Sequence, residues 1–511
     1  MASVESFIQN HRITKENQGE VSKSFSLKPG YHLLFCCILA IPFIWLAWSA
    51  QNLLYLSNQH AHLVAKALQA IERGRLEIIG FTYPPLPFLL TALFPKPFTP
   101  GIIAALAGGA TAWLLLSHLI QVPINNFSKV VIVFSLSVMP ASLFIATQSL
   151  GDMVTLLLFL IAWNQFLRFT RAGETWSGFV AGLVLGLAFF FNPYALIYGL
   201  IYALASPLFY HWENKPLLQR NWQDDLTLVV VIAFPTLLAF FSWSYLNWVF
   251  SGNPWRFLND PASPLFTYMS AEVKPVYGFW AALWSSINDL TRLPLYPVIG
   301  IIVLLVSPRR FLAYLTPFIV SIFVRLFGFA YPQSFALTIY SVVAIAGIPR
   351  RTPKIWGWIL IPIALINLAV AFFTMQQSSE LRSWETLLIS QKPGISDEFE
   401  WKVAQVLAKV PPRTILTDDR SSYRIIARAG TSEPFLLPGD TEFLLALSAP
   451  QRYVNYILIS INPVMVGDQV ADRFGERDPA GFVLEAAWPG WKLLRKEGAQ
   501  PLLTQTIFGL P

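Results

Sequence analysis

The sequence predicts an α-helical multispanning membrane domain of about eleven transmembrane helices, followed by a C-terminal extracytoplasmic α/β domain. Three observations carry that expectation. Of the 511 residues 55% are hydrophobic and only 13% charged, against about 25% charged in a soluble domain. Apolar runs recur through residues 31–375, with basic clusters in alternate connections. Beyond residue 376 charge density rises, and helix-like and strand-like periods alternate. The same balance excludes a disordered chain, a coiled coil and an ordinary cytosolic enzyme. The net charge of +7 matters here through its placement, and it is no argument for nucleic acid as a partner.

Residues 1–30 are polar and mixed in charge (Arg12, Lys15, Lys23, Lys28) and read as a cytoplasmic tail. The first apolar run, Tyr31 to about Leu54, is long enough to span, and no small-residue cleavage site follows it. Cys36 and Cys37 are neighbours within that run, a poor placement for a mutual bridge, so no disulfide framework is expected. The outer segment 55–98 follows. Its portion Ser57–Arg73 has helical periodicity (Leu63, Ala67, Ala70, Ile71) and ends at Gly74, as an amphipathic helix lying at the membrane interface would. Tyr83-Pro84-Pro85 then forces an extended turn.

Further apolar runs fall at about 99–120, 129–150, 152–170, 177–192, 193–209, 226–250, 294–306, 311–330, 333–348 and 355–375, with Pro140, Pro193 and Pro317 breaking or bounding them. With a cytoplasmic N-terminus, Arg168 and Arg171, Lys215 and Arg220, Arg309 and Arg310, and Arg350, Arg351 and Lys354 share one side with the tail. The other side receives 55–98, 251–293 and residues 376–511. In that last stretch RTILT (413–417), YVNYILIS (453–460), FVLEAAW and WKLLRK read as strands, and 399–409, 440–448 and 467–474 as helices.

Several residues combine chemistry with an unusual place. Asp152 stands at the outer end of an apolar run, either as a functional acid or as a helix-capping one. Arg325 lies inside a span, between IFV and LFGF. It needs a cavity or a partner, and a lipid phosphate at the outer face is one, with snorkelling to the interface the alternative. Arg73 and Arg75 flank Gly74, placed for a phosphate or for anionic headgroups. Arg256, Glu272 and Lys274 belong to the second outer segment. His60 and His62, two apart on a helix, point in different directions, so no metal site is expected from them. Asp418-Asp419 follows a strand. No phosphate loop, zinc spacing or nucleophile elbow occurs, and no cofactor is expected.

A first span, a long outer loop with a helix, about eleven spans and an outer globular domain form a specific combination. With it come Gly74-Arg75, Tyr83-Pro84-Pro85-Leu86, ATQSLGD ending at Asp152, GFVAGLVLGLAFFFNPYAL (178–196) and NWVFSGNPWRFL (247–258). In order and topology, over roughly residues 31–375, the chain resembles the GT-C superfamily of integral-membrane glycosyltransferases, which includes the aminoarabinose–lipid A transferase and protein O-mannosyltransferases. The resemblance implies transfer of a sugar from a polyprenyl-phosphate donor to an acceptor glycan, lipid or protein at the outer face of the plasma (inner) membrane. Basic groups would stabilise the departing phosphate and a carboxylate would position or deprotonate the acceptor. The family places an acidic residue, often a pair, at the start of the first outer loop, where this chain has Asn58-Gln59-His60. Glu77, His60 and Asp152 are therefore the candidate catalytic groups, and Arg325, Arg73, Arg75, Tyr83, Arg256 and Lys274 the candidate substrate-binding ones. The missing pair also admits a catalytically degenerate relative that binds a lipid-linked glycan, or a partner in an envelope assembly or export complex. No matching hydrophobic halves point to a secondary transporter.

Overall fold

The computed structural model describes residues 29–80, 83–172, 174–214, 222–259, 278–329, 331–374, 379–461 and 467–502. The helical part comprises α1 (Pro29–Asn52), α2 (Asn58–Arg73), α3 (Pro85–Ala92), α4 (Thr99–Ile120), α5 (Asn126–Ser137), α6 (Pro140–Gln148), α7 (Leu150–Ala172), α8 (Thr175–Phe189), α9 (Tyr194–Asn214), α10 (Trp222–Ser251), α11 (Arg256–Asn259), α12 (Phe279–Thr291), α13 (Leu295–Val306), α14 (Phe311–Leu326), α15 (Gln333–Gly347) and α16 (Lys354–Thr374). Among the described residues α1, α4, α7, α10 and α16 are each long and apolar enough to cross a bilayer. Two bent pairs, α5 with α6 at 59° and α12 with α13 at 95°, raise the count to seven if each is one span. Four shorter apolar helices, α8, α9, α14 and α15, complete the bundle. Pro140 opens α6 and Pro193 precedes α9, both as breaks, whereas Pro317 lies inside α14 without ending it.

Small residues set how closely the helices approach. A Cβ on Gly182 would lie 2.3 Å from the Ile232 carbonyl oxygen and one on Gly186 2.9 Å from that of Pro235, so the backbones of α8 and α10 touch there, while Gly178 makes room for the Phe169 ring of α7. Gly109 plays the same part between α4 and α1, where a Cβ would lie 2.5 Å from the Cys36 carbonyl oxygen.

The chain continues through α17 (Ser379–Ser390), α18 (Ile395–Leu407), β1 (Ile415–Leu416), α19 (Asp419–Ala429), β2 (Phe435–Leu436), α20 (Phe443–Ser448), α21 (Pro450–Tyr453), β3 (Tyr456–Ser460), α22 (Gln469–Phe474), β4 (Phe482–Trp488) and β5 (Trp491–Lys496). The five strands form one sheet of order β2-β1-β3-β5-β4. β1 runs parallel to β2 and β3, while β5 runs antiparallel to β3 and β4. Every residue of β3 is buried, the mark of a central strand covered on both faces.

The helix after the first span, α2, departs from the sequence expectation in what covers it: His60 through Ala65 and Ala67 through Ala70 are all buried against protein. Leu63 and Ala70 join the core of the helical bundle, while Ala61, Val64, Ala65 and Leu68 pack with Val403, Ile425 and Phe435 of the sheet layer. Alanines at 61, 65, 67 and 70 keep the helix thin enough to be covered from two sides. Its strong amphipathic signal therefore reflects a protein–protein sandwich.

Candidate functional site: a buried polar cluster with tyrosines at one end of the bundle

Three chain connections meet at one end of the bundle. Ser57 caps α2, its Oγ accepting the His60 N–H at 3.2 Å and donating to the Gln148 carbonyl at 2.7 Å. Ser149, between α6 and α7, has its hydroxyl 2.7 Å from Asp152 Oδ2 and 2.9 Å from Gln59 Oε1, and shares one proton between them. Asp152 Oδ1 accepts from Asn192 Nδ2 at 2.9 Å, and Asn192 Oδ1 accepts the Tyr194 N–H at 3.0 Å, closing the Asn-Pro turn into α9. Asp152 is thus 4% exposed and tied to two polar side chains, in the first turn of α7 where the helix dipole favours a negative charge.

From there a path of aromatic rings leads across the bundle. The Tyr194 hydroxyl, in a residue 1% exposed, has no hydrogen-bond partner among the described residues. Its ring meets that of Tyr331 edge-on at 5.3 Å, and the Arg325 guanidinium carbon lies 5.8 Å from the Tyr331 ring centre. Arg325 donates to Ser286 Oγ and Ser321 Oγ, each at 3.0 Å, and pairs with Asp289, which also accepts from Gln333 at 3.4 Å. The partner that a buried arginine requires is supplied by a carboxylate of this chain. One helical turn after Asp289, at the 95° bend into α13, Arg292 has a buried Nη1 with no partner among the described residues.

The other sequence candidates lie outside this cluster or are committed elsewhere. His60 is 2% exposed, and its Nε2 accepts the Leu150 N–H at 3.2 Å, serving the start of α7. Burial pushes its pKa down to about 3, which makes it a neutral structural acceptor rather than a base. His62 is packed among the rings of Tyr83, at 4.6 Å, Phe88 and Tyr423, so Tyr83 is a wall of that packing. Glu77 is exposed and accepts from Arg75 Nε at 2.8 Å, a contact that holds its carboxyl below the usual range and makes it a poor base. Arg75 also donates to the Gly439 carbonyl, and Arg73 is buried against Asp440 (2.8 Å) and the Phe435 carbonyl (2.9 Å). Both arginines fasten α2 to the sheet layer, where a phosphate or headgroup contact was expected. Arg256 is exposed on α11. Lys274 and Glu272 lie outside the described residues. Asp418 caps α19 and accepts the Arg420 and Gln469 N–H groups, each at 2.9 Å. Burial and the adjacent Asp419 push its pKa up to about 7, and Asp419 pairs with Lys66 of α2.

The place of the absent acidic pair is also filled. The Asn58 N–H donates to Glu380 Oε1 at 2.7 Å and its side-chain oxygen accepts from Arg424 Nη1 at 3.1 Å. Arg424 also reaches Glu400 at 2.8 Å and the Leu56 carbonyl at 2.6 Å. Arg428 pairs with Asp397 and donates at 2.7 Å to the carbonyl of Leu54, whose φ of +62° is strained for a leucine.

The structure therefore brings Asp152 and Arg325 to one end of the bundle and leaves Glu77, Arg73 and Arg75 on the sheet-layer side of α2. It adds Ser149, Asn192, Tyr194, Asp289, Arg292 and Tyr331, which sequence reasoning did not select. Asn192-Pro193 carried a signal, read only as a boundary. Among the described residues no group of three or more His, Cys, Asp or Glu side chains is placed to hold a metal ion.

No protein-family model and no curated protein sequence matches the chain. Solved structures do. ArnT from Cupriavidus metallidurans bound to undecaprenyl phosphate aligns over 92% of this chain and 98% of that one, with 13% identity and a TM-score of 0.55. ArnT from the same organism in the apo state aligns over the same shares with 13% identity and a TM-score of 0.48. The resemblance to GT-C transferases drawn from the sequence thus holds at the level of the fold: this is a multi-pass membrane protein with the architecture of ArnT.

Proposed function

We propose that the chain is a membrane glycosyltransferase that takes a sugar from a polyprenyl-phosphate donor at the outer face of the plasma membrane. One observation carries the reading. A buried carboxylate, Asp152, shares one end of the bundle with an unpaired tyrosine hydroxyl, Tyr194, and an unpaired arginine nitrogen, Arg292. In this reading Asp152 takes the proton of the acceptor nucleophile as that atom attacks the anomeric carbon. The bond from that carbon to the phosphate oxygen breaks, and the electron pair leaves on the phosphate. Arg292 meets the developing charge, and Arg325 holds Tyr331 against Tyr194. A neighbour of the same fold bound to undecaprenyl phosphate supports the donor class. Eleven apolar runs, each containing a helix, support about eleven spans over residues 31–375, with residues 1–30 inside and an α/β domain over residues 376–511 outside. The turns 118–129 and 348–357, joined by His118 to Ile348 and Ser128 to Gly357, carry Lys129, Arg350, Arg351 and Lys354. This basic end lies opposite the polar cluster, which supports an outward-facing site.

A second reading rests on the captured Asn58. A chain whose acidic-pair position is bolted under Glu380 and Arg424 would bind a lipid-linked glycan, or a partner in an envelope assembly or export complex, without turning it over. Reconstitution with polyprenyl-phosphate sugars separates the two. Release of free polyprenyl phosphate by the wild type and its loss in Asp152→Asn supports transfer. Equal release by both defeats the role of Asp152, and saturable binding of polyprenyl phosphate with no release favours the second reading.

A further inference from the structure

A cavity of about 50 Å³ lies within the bundle between α1, α4, α5, α6, α7 and α15. The 59° bend at Val138-Met139 opens it by swinging α6 off the line of α5, and the small side chains of Ala112 on α4 and Ala146 on α6 leave it unfilled. Its walls are apolar: Phe43, Leu115, Leu136, Met153, Val342 and Ile345. The hydroxyls of Thr111 and Thr338 turn back to the carbonyls of Ala107 (2.9 Å) and Ser334 (2.8 Å) and leave methyl groups facing inward. Ser142 Oγ remains unpaired, but a buried water needs two to four polar partners. The lining therefore favours hydrocarbon over water.

Position selects the hydrocarbon. Gly108 is the tenth of the 22 residues of α4, about 14 Å along a helix rising 1.5 Å per residue, which is half of a hydrocarbon core of about 30 Å. At that depth acyl chains of both leaflets end. Phe43, Val133 and Leu136, on the cavity's lining, are only part-buried, and the next residues on α5, Val130 and Phe134, are exposed on the outside of the bundle. The cavity is closed at one edge where α4 packs directly on its neighbours: a Cβ on Gly108 would stand 3.1 Å from the Ala146 Cβ and 3.3 Å from the Phe43 ring. Its small volume, about 50 Å³, suits an unbranched chain better than an isoprenyl chain with its regular methyl branches.

We propose that this cavity is a binding site for the terminal segment of a bilayer phospholipid acyl chain, inserted where α5 and α6 break. The site would wedge the break open and fix the angle at which α6 delivers Ser149 to Asp152. It stands whether or not the chain transfers sugar, because seating a chain needs no turnover.

The full-length protein is reconstituted in phosphatidylglycerol vesicles whose acyl chains carry a diazirine at the terminal carbon, photolysed, and its labelled peptides mapped by mass spectrometry. Labelling of Leu136, Met153 and Val342 should exceed that of the bilayer-facing Val130 and Phe134 by about fivefold, the occupancy ratio given by a preference of ~1 kcal/mol. Ala146→Leu, which fills the cavity, should bring it down to the surface level; Val342→Trp is the second filling variant if the first does not fold. Lining labels no stronger than those of Phe134, or unchanged labels in a folded filling variant, overturn the site. Loss of the label on adding polyprenyl phosphate at a tenth of the phospholipid overturns the acyl chain as occupant.

Discussion

The polar cluster around Asp152 and the seam between α2 and the sheet layer hold the buried charge of this protein in two different ways. In the seam the buried cations each have a carboxylate: Arg424 and Arg428 with Asp397 and Glu400, Arg73 with Asp440, Lys66 with Asp419, although His62, Gln69 and Tyr423 there keep unpaired polar atoms. In the cluster the Arg325–Asp289 pair is equally complete, yet the Tyr194 hydroxyl and Arg292 Nη1 beside it are left without partners. Burying a polar group without a hydrogen bond is costly, so an unpaired one in a native structure asks for a ligand or a reaction, and a paired one asks only for stability. The comparison teaches that charge alone does not mark the site. Glu77, His60 and Arg73 have the right chemistry and are occupied; Asp152 is held by Ser149 and Asn192, and the atoms left over are the Tyr194 hydroxyl and Arg292 Nη1.

The largest expected effect breaks that contrast at its centre. Asp152→Asn keeps the shape and the contact to Ser149 and removes the proton acceptor. Sugar release should fall by about 10²–10⁴, the usual worth of a positioned general base, while polyprenyl-phosphate binding measured in the same vesicles persists. Next comes the seam. Arg428→Met leaves Asp397 buried beside one cation fewer and frees the strained Leu54 carbonyl, and should cost about 3–5 kcal/mol in denaturant unfolding. A cost under ~1 kcal/mol there would show that the seam is not the structural half of the comparison.

Arg292→Gln should raise the KM for the donor about tenfold or more, the ~1.5–3 kcal/mol of a charge-assisted hydrogen bond, with no change in melting temperature because the lost nitrogen has no partner to abandon. A fall in stability with unchanged KM would move Arg292 to the structural side. A smaller effect is one of pH. His60 and His62 are held near 3 by burial and would titrate near 6.5 when unfolded. Between those values the unfolded chain binds more protons, so stability is lost as pH falls below about 6.5, by up to about 1.4 kcal/mol per unit for each histidine. Asp418, raised from 3.8 to about 7, and Asp468, also raised by burial, act in the opposite sense. The histidine contribution is therefore read by difference: between pH 7 and pH 5 the wild type should lose more stability, or gain less, than His62→Phe, which keeps the ring among Tyr83, Phe88 and Tyr423. Smallest of all, Glu77→Gln should leave transfer and melting unchanged, since the Arg75–Glu77 pair is exposed and Arg75 keeps its contact to the Gly439 carbonyl.

Much of the helical architecture was legible in the residues. Each apolar run holds a helix because removing apolar side chains from water is a property of the segment itself. Breaks at Pro140 and Asn192-Pro193 follow from local backbone sterics. Asp152 stood out for the same reason, as an acid at the border of an apolar run. The occupied candidates were misread because their partners are far along the chain: Arg73 finds Asp440, Asn58 finds Arg424 and Glu380, and Arg325 finds Asp289 across a helix pair bent by 95°. α2 was misread because an amphipathic period cannot say whether its apolar face meets lipid or protein.

What the sequence determined alone is therefore the partition of the chain: which segments leave water, where they break, and which turns carry the positive charge. These depend on side chains within one or two helical turns of each other. Only the tertiary structure decided which buried charges are spent on one another and which are left over. Pairing needs two groups within about 3 Å, and that distance is set by how remote segments pack, through contacts such as Gly182 on Ile232 and Arg428 on Leu54.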